Sequence, residues 1–216
     1  MKTRVKVCCI SSVEEASVVI SAGVTAIGLV GNMPSGPGVI SDELINTIAS
    51  SVPSGVDTFL LTSETSAKKI VEHHNRTLTN TIQIVDELKE GTYNDIRSSL
   101  PSIKLVQVIH VIDDKSVDEA IKISEFADAL LLDSGNPSLN VKELGGTGRV
   151  HDWSLSRKIV EQTKVPVYLA GGLNADNVQK AIEEVNPFGV DLCSGVRING
   201  KLDEKKLHQF LSKVWH

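Results

Sequence analysis

Two side chains that follow apolar, strand-like runs could together carry out proton transfer. Cys8 follows the run RVKV, and Asp133 ends the run ALLLD. A thiolate can remove a proton and a carboxylic acid can donate one, so the pair are candidates for a general base and a general acid. The alternative for Cys8 is a buried thiol that packs as a small apolar group. An acid after three leucines costs free energy unless it is used or capped, which favours a functional Asp133.

Glycine-rich tips after two later runs indicate an anion site. Gly171 and Gly172 follow the run VYLA, and Ser194 and Gly195 follow GVDLC. A backbone without side chains can approach an anion closely and direct several N–H groups at it. Glycines also serve simply to turn the chain, but their place after two successive runs favours phosphate binding. Asp191, inside the last run, faces either a substrate or a structural hydrogen-bond partner.

Eight apolar runs alternate with helix-like segments along the chain. The runs are RVKVCCI (4–10), AIGLV (26–30), DTFLLT (57–62), TIQIV (81–85), KLVQVIHV (104–111), ALLLD (129–133), VYLAG (167–171) and GVDLCS (189–194). Their nearly continuous apolar character is typical of parallel strands that are covered on both faces. Between them, Ser12 with Glu15 and Ser116 with Glu119 have the spacing of a capping box.

This repeat predicts the α/β class, and eight β-then-α units predict one closed (β/α)8 barrel over residues 1–216. An open, doubly wound sheet is the second choice, but no GxGxxG follows the first run. The carboxyl ends of barrel strands share one mouth, where the reacting groups lie. We therefore expect Cys8, Asp133 and the glycine tips to surround one site.

Composition excludes several function classes. The net charge of −5 disfavours nucleic-acid binding. No apolar run approaches the roughly 18 residues of a membrane span, and the first ten residues do not resemble a signal peptide. The three cysteines show no CxxC and no Cys/His ligand spacing, so we expect neither a disulfide framework nor a metal site. A reducing, cytoplasmic location is the simplest expectation.

Five pieces of the sequence resemble the phosphoribosylanthranilate isomerase family of tryptophan biosynthesis: VKVCCIS, LLLDS, GGTGRVHDW, LAGGLNADNV and PFGVDLCSGVR. The resemblance implies a (β/α)8 fold, no cofactor, and an Amadori rearrangement of an aminoaldose phosphate. It makes Cys8 the general base at the sugar C2, Asp133 the general acid at the ring oxygen, and Asp191 a substrate-orienting residue. It places the phosphate among Gly146, Gly172, Ser194 and Gly195, beside Gly171.

Four departures from the family pattern suggest a divergent member. Cys9 stands where CGIT has glycine, Gly38 where Ser-Pro-Arg has arginine, QIVD replaces QLHG, and Arg197 replaces an acid. We expect the acid–base pair and the phosphate end to be kept and the pocket for the N-substituent to differ, with Arg197 or His110 as candidate substrate-binding replacements. Another phosphorylated aminosugar as substrate, and a non-catalytic barrel that binds a phosphorylated metabolite, stay open. So do a monomer and a homodimer.

Overall fold

Eight parallel strands close into a barrel in the order in which they occur along the chain. The computed structural model describes residues 2–135 and 149–215. The barrel strands are β1 Arg4–Val7, β2 Ala26–Val30, β3 Asp57–Thr62, β4 Thr81–Ile84, β5 Lys104–His110, β6 Ala129–Asp133, β7 Val167–Leu169 and β8 Gly189–Leu192. The barrel closes where β1 pairs with β8, with Val7 opposite Leu192. The predicted (β/α)8 barrel is confirmed.

Within residues 2–135 and 149–215, eight helices surround the strands and provide the crossovers that parallel pairing requires. They are α1 Val13–Ser21, α2 Asp42–Ser51, α3 Ala67–Thr77, α4 Tyr93–Ser99, α5 Asp114–Ile123, α6 Trp153–Gln162, α7 Val178–Val185 and α8 Glu204–Trp215. A 3-10 turn (Ser194–Val196) and a small antiparallel pair, β9 Arg197–Ile198 with β10 Lys201–Leu202, separate β8 from α8. Within the described residues, no helix has the length and apolar character needed to cross a bilayer.

The predicted helix starts are confirmed at one position and wrong at another. Ser12 caps α1, since its side chain accepts a hydrogen bond from the Glu15 N–H. The predicted start at Ser116 is wrong, because α5 begins at Asp114 with Asp113 as its N-cap and Ser116 in its first turn. The Ser116 side chain accepts a hydrogen bond from the Asp113 N–H, so Ser116 takes the N3 position of the capping box, the third residue of the helix.

Two apolar layers stabilise the barrel. One lies between the strands and the helices, and the other fills the interior, with Phe59, Val106 and Tyr168 among its buried members. Because side chains alternate across a strand, the interior residues of β1 and β8 include Lys6 and Asp191. Charged side chains thus lie in the interior of the barrel together with apolar ones.

Candidate active site

A cavity of about 690 Å³, including its open mouth, lies at the carboxyl ends of the strands. Six residues singled out from the sequence line it: Cys8, Asp133, Gly171, Gly172, Asp191 and Ser194. Its remaining wall includes Met33, Ser35, Gly36 and Pro37 from the loop after β2. The structure therefore brings the candidate acid, the candidate base and the glycine tip after β7 to one place, although they are far apart in the chain.

Asp133 is the last residue of β6 and is buried. Its carboxylate accepts a hydrogen bond from the Ser134 N–H at 2.7 Å. Burial raises the pKa of Asp133 above its usual range, and this effect exceeds the opposing influence of the Ser134 N–H, His110 and Lys6. A carboxylic acid that keeps its proton at higher pH is suited to act as a general acid.

Cys8 comes directly after β1 and is held by the backbone of the neighbouring strand. Its N–H donates to the Leu192 carbonyl at 2.8 Å, which continues the β1–β8 ladder by one residue. The thiol is buried and reaches the cavity. A Cβ at Gly28 on β2 would lie only 2.7 Å from the Cys8 sulfur, so the missing side chain at Gly28 leaves the thiol its space.

Lys6, which the sequence analysis did not single out, lies beneath the site. Its side chain is fully buried and donates to the Asp191 carboxylate at 2.9 Å. Burial alone would lower the pKa of Lys6, but Asp191 and, to a smaller extent, Cys8 raise it above its usual value. The signal was available, because a lysine between two valines of a buried strand must have a partner.

The turn after β7 has the geometry of an anion site. Gly171 and Gly172 have φ angles of 84° and 62°, in the region that favours glycine. The Gly172 carbonyl accepts a hydrogen bond from the Asn177 side chain at 3.0 Å, which fixes the turn. Among the described residues, no hydrogen bond occupies the N–H groups of Gly171 and Gly172. These donors therefore remain for a ligand in the cavity.

The other predicted phosphate residues have different positions. Ser194 lines the cavity at the start of the 3-10 turn. Gly195 does not line it, and its close approach to the Leu173 carbonyl leaves no room for a Cβ. Gly146 lies outside the described residues.

Neither candidate for a replacement substrate contact reaches the cavity wall. Arg197 is buried behind the end of β1, where its guanidinium donates to the Cys9 carbonyl at 2.6 Å and to Glu15 at 3.0 Å. His110 is next to Asp133 in the sheet register, and its Nε2 donates to the Val85 carbonyl at 3.0 Å. In this geometry both side chains contact protein groups, and their substrate-binding roles stay predictions.

Three of the departures from the family pattern meet at one point. Cys9 has a φ of 62°, and its thiol lies 3.7 Å from the Pro37 carbonyl. A Cβ at Gly38 would lie 2.5 Å from the Cys9 Cβ, so the side chain at position 9 uses the space that one at position 38 would need. Arg197 in turn holds the Cys9 carbonyl. This cluster supports the cavity wall formed by the loop after β2.

No group of histidine, cysteine or acidic residues within 2–135 and 149–215 has the arrangement of a metal site. A (β/α)8 barrel with a buried carboxylic acid, a thiol and a glycine turn around one cavity has the layout of the barrel enzymes that act on small phosphorylated molecules.

Comparison with known proteins narrows this class. A family model described as N-(5'-phosphoribosyl)anthranilate (PRA) isomerase matches residues 5–213. The N-(5'-phosphoribosyl)anthranilate isomerase of Methanosarcina acetivorans is 33% identical over 227 residues, covering 99% of this chain and 94% of that protein. The N-(5'-phosphoribosyl)anthranilate isomerase 2 of Methanosarcina mazei is 35% identical over 213 residues, covering 98% of this chain and 93% of that protein. The chain belongs to the phosphoribosylanthranilate isomerase family, and these identities do not support the expectation of a divergent member.

Solved structures agree with this assignment. The phosphoribosyl anthranilate isomerase of Thermotoga maritima matches with a TM-score of 0.81 and 29% identity, with 98% of each chain covered. A phosphoribosyl anthranilate isomerase in complex with reduced 1-(o-carboxyphenylamino)-1-deoxyribulose 5-phosphate matches with a TM-score of 0.78 and 26% identity, again over 98% of each chain.

Proposed function

We propose that this chain is an aldose–ketose isomerase that converts N-(5-phosphoribosyl)anthranilate to 1-(2-carboxyphenylamino)-1-deoxyribulose 5-phosphate. Family membership over residues 5–213 supports the reaction. The observation that carries the proposal is that a buried acid, Asp133, and a thiol, Cys8, line one cavity with the Gly171–Gly172 turn. The substrate is a small phosphorylated molecule, and the reaction needs no cofactor because it only moves protons.

The first step opens the sugar ring. Asp133 holds a proton that it gives to the ring oxygen as the bond between that oxygen and C1 breaks, which leaves an iminium between C1 and the anthranilate nitrogen. Burial raises the pKa of Asp133, so its carboxyl holds the proton to a higher pH than an exposed aspartate does. The Cys8 thiolate then removes the C2 proton. The electron pair of the broken C2–H bond forms a double bond between C1 and C2, and the iminium becomes an enolamine. The enolamine takes a proton at C1 and loses one from the C2 hydroxyl, which yields the ketose.

Binding groups surround this acid–base pair. The free N–H groups of the Gly171–Gly172 turn and Ser194 would hold the phosphate, and Asp191 would accept hydrogen bonds from the sugar hydroxyls. The loop after β2 would contact the anthranilate ring. These roles, and those of Gly146, Gly195, His110 and Arg197, are proposals.

Assembly and location are also proposals. A monomer and a homodimer are both compatible with membership of this family. One similar solved structure contains monomers that were generated from a dimeric isomerase of Thermotoga maritima. The cysteines at 8, 9 and 193 are free thiols, which agrees with a reducing compartment such as the cytoplasm.

The test is turnover of N-(5-phosphoribosyl)anthranilate, made from anthranilate and followed by the change in its fluorescence. We expect activity in the wild type and a loss of about 10²- to 10⁴-fold in Cys8→Ala and in Asp133→Asn. Asp118→Asn is the matched control, since Asp118 is exposed on α5 and should keep wild-type activity. A folded wild type without turnover would overturn the assignment in favour of another phosphorylated aminosugar or a binding protein.

A further inference from the structure

Lys6 is a buried cation whose position needs an explanation. Its side chain is fully inaccessible, and its ammonium lies 5.0 Å from the centre of the Phe59 ring, which belongs to the apolar layer of the barrel interior. Removing a charge from water carries a large free-energy cost that pairing need not repay, and apolar residues in place of such a pair often stabilise a protein. The Lys6–Asp191 pair is therefore weak evidence for stability and points to a role in the site above it.

The geometry connects Lys6 to Cys8. The two residues are two positions apart on β1 and its extension, so their side chains lie on the same face. A Cβ at Gly28 would be 3.1 Å from the Lys6 ammonium and 2.7 Å from the Cys8 sulfur. Both atoms border one point, so they lie within about 6 Å of each other, the range in which an opposite charge favours an ionised group.

Charge balance gives this proximity a consequence. The titratable groups that act on Lys6 are Asp191 on β8 and the Cys8 and Cys9 thiols, and Asp133 on β6 also senses it. With Asp133 protonated, Lys6 and Asp191 form a neutral pair beside the thiol. Ionisation of Cys8 then leaves one net negative charge in the cluster, whereas without Lys6 it would leave two.

We propose that Lys6 is a positioning residue for the reaction: its ammonium stabilises the Cys8 thiolate and fixes the Asp191 carboxylate beside it. The inference rests on the proposed function for its catalytic meaning, but the charge coupling is a property of the free protein. Lys6 touches no substrate atom and acts through Cys8 and Asp191.

Alkylation of Cys8 by iodoacetamide tests the coupling without substrate. The rate is measured on the full chain at several pH values, and fragment mass spectrometry separates adducts on Cys8 from those on Cys9. We expect Lys6→Met to lower the Cys8 rate at pH 7 at least tenfold and to move the half-maximal rate to higher pH. Asp191→Asn should change both quantities in the opposite direction, because it removes a negative charge beside the thiol. Lys164→Met, at an exposed position, is the control.

The opposite signs separate charge coupling from structural damage, since a loosened barrel would change both variants in the same direction. If the Cys8 alkylation rate changed in the same direction in Lys6→Met and Asp191→Asn, or changed in neither, the proposal would be overturned. If Lys6→Met does not fold, Asp191→Asn is the deciding variant. A Cys8 alkylation rate at pH 7 that does not rise in Asp191→Asn would contradict the proposed charge coupling. In turnover, Lys6→Met should lower kcat more than it changes KM. If the wild type did not turn over the substrate but the two variants still changed the Cys8 alkylation rate in opposite directions, the proposed isomerase function would be rejected and the charge coupling would stand.

Discussion

Asp133 and Asp191, which both line the cavity, have opposite surroundings, and this difference suits them to different tasks. Asp191 forms an ion pair with the Lys6 ammonium at 2.9 Å. Asp133 is buried, and the hydrogen bond from the Ser134 N–H does not offset its desolvation, so its pKa is raised. Divergent environments of this kind separate an acid from a charged partner within one site. At the residue scale, Asp133 is therefore the group whose proton can be given away.

This arrangement has a consequence for stability. Because the pKa of Asp133 is higher in the folded than in the unfolded chain, the folded state binds the proton more tightly. Stability is then highest below the unfolded value and falls as the pH rises through the folded value. We expect Asp133→Asn, which can keep the hydrogen bond from Ser134, to be more stable than the wild type at pH 8 and to lose that advantage at acidic pH.

Urea unfolding of both proteins at pH 4 and pH 8 measures this difference. Asp118→Asn, at an exposed position on α5, controls for the loss of one acidic residue. A destabilised Asp133→Asn at pH 8 would contradict a raised pKa, because it would show that the folded state favours the carboxylate.

At the scale of elements, the ends of β1 and β8 and the loop after β2 depend on one another. Cys9 leaves the extended conformation with a φ of 62°, which ends β1 at Val7 rather than at residue 10 as predicted. Its carbonyl is held by Arg197 and its thiol lies against the Pro37 carbonyl. Gly38, with a φ of 80°, packs on the Cys9 side chain. The side chain at position 9 thereby sets where the cavity loop can lie.

We therefore expect positions 9 and 38 to be coupled in stability. Gly38→Ala should destabilise the wild type by about 2 kcal/mol, because the new methyl group meets Cys9 and the backbone has a positive φ. In a Cys9→Gly background the contacts with the Cys9 Cβ and Sγ disappear and only the one with its Cα remains, so the same change should cost about 1 kcal/mol less. A double-mutant cycle by urea unfolding measures the coupling. Gly55→Ala is the control, since its φ is 98° and nothing lies within 4 Å of its Cβ position. Additive effects would refute the contact.

The sequence predicts more of the fold than of the site's interior. The repeat of apolar runs and helix signals is a local pattern, and it was sufficient for eight strands, their closure and the shared position of Cys8 and Asp133. Lys6 was missed because its role depends on Asp191, which is 185 positions away. Arg197 was expected to contact the substrate, but its guanidinium is directed away from the cavity by hydrogen bonds to Glu15 and to the Cys9 carbonyl. Such pairings form only in the closed barrel. One domain over residues 1–216 stays a prediction.

At the scale of the whole molecule, the two ends of the described chain are joined. Arg197 donates to Glu15 on α1 at 3.0 Å across 182 positions, and the Trp215 side chain on α8 donates to the Thr3 carbonyl at 3.1 Å. The burial of Glu15 raises its pKa, but Arg197 and the Ser11 N–H lower it more, so the net pKa is below its usual value. These contacts lie beside the β1–β8 pairing that closes the barrel, and we expect the partly buried Arg197–Glu15 ion pair to stabilise this closure in addition to the sheet.

Arg197→Met should therefore lower the free energy of unfolding by about 3 kcal/mol, because it removes the cation that pairs with Glu15 and the donor to the Cys8, Cys9 and Gly200 carbonyls. The loss should be greatest above the unfolded pKa of Glu15 and should shrink as the pH falls, since the stability that a lowered pKa supplies disappears on protonation. Adding Glu15→Gln to Arg197→Met should recover about 1 kcal/mol at pH 7, because no unpaired charge remains. Arg157→Met, which breaks an exposed pair with Glu161, should cost less than about 1 kcal/mol. Urea unfolding at pH 4 and pH 7 compares the variants. An Arg197→Met loss no larger than that of Arg157→Met would mean that the sheet closes the barrel without the ion pair.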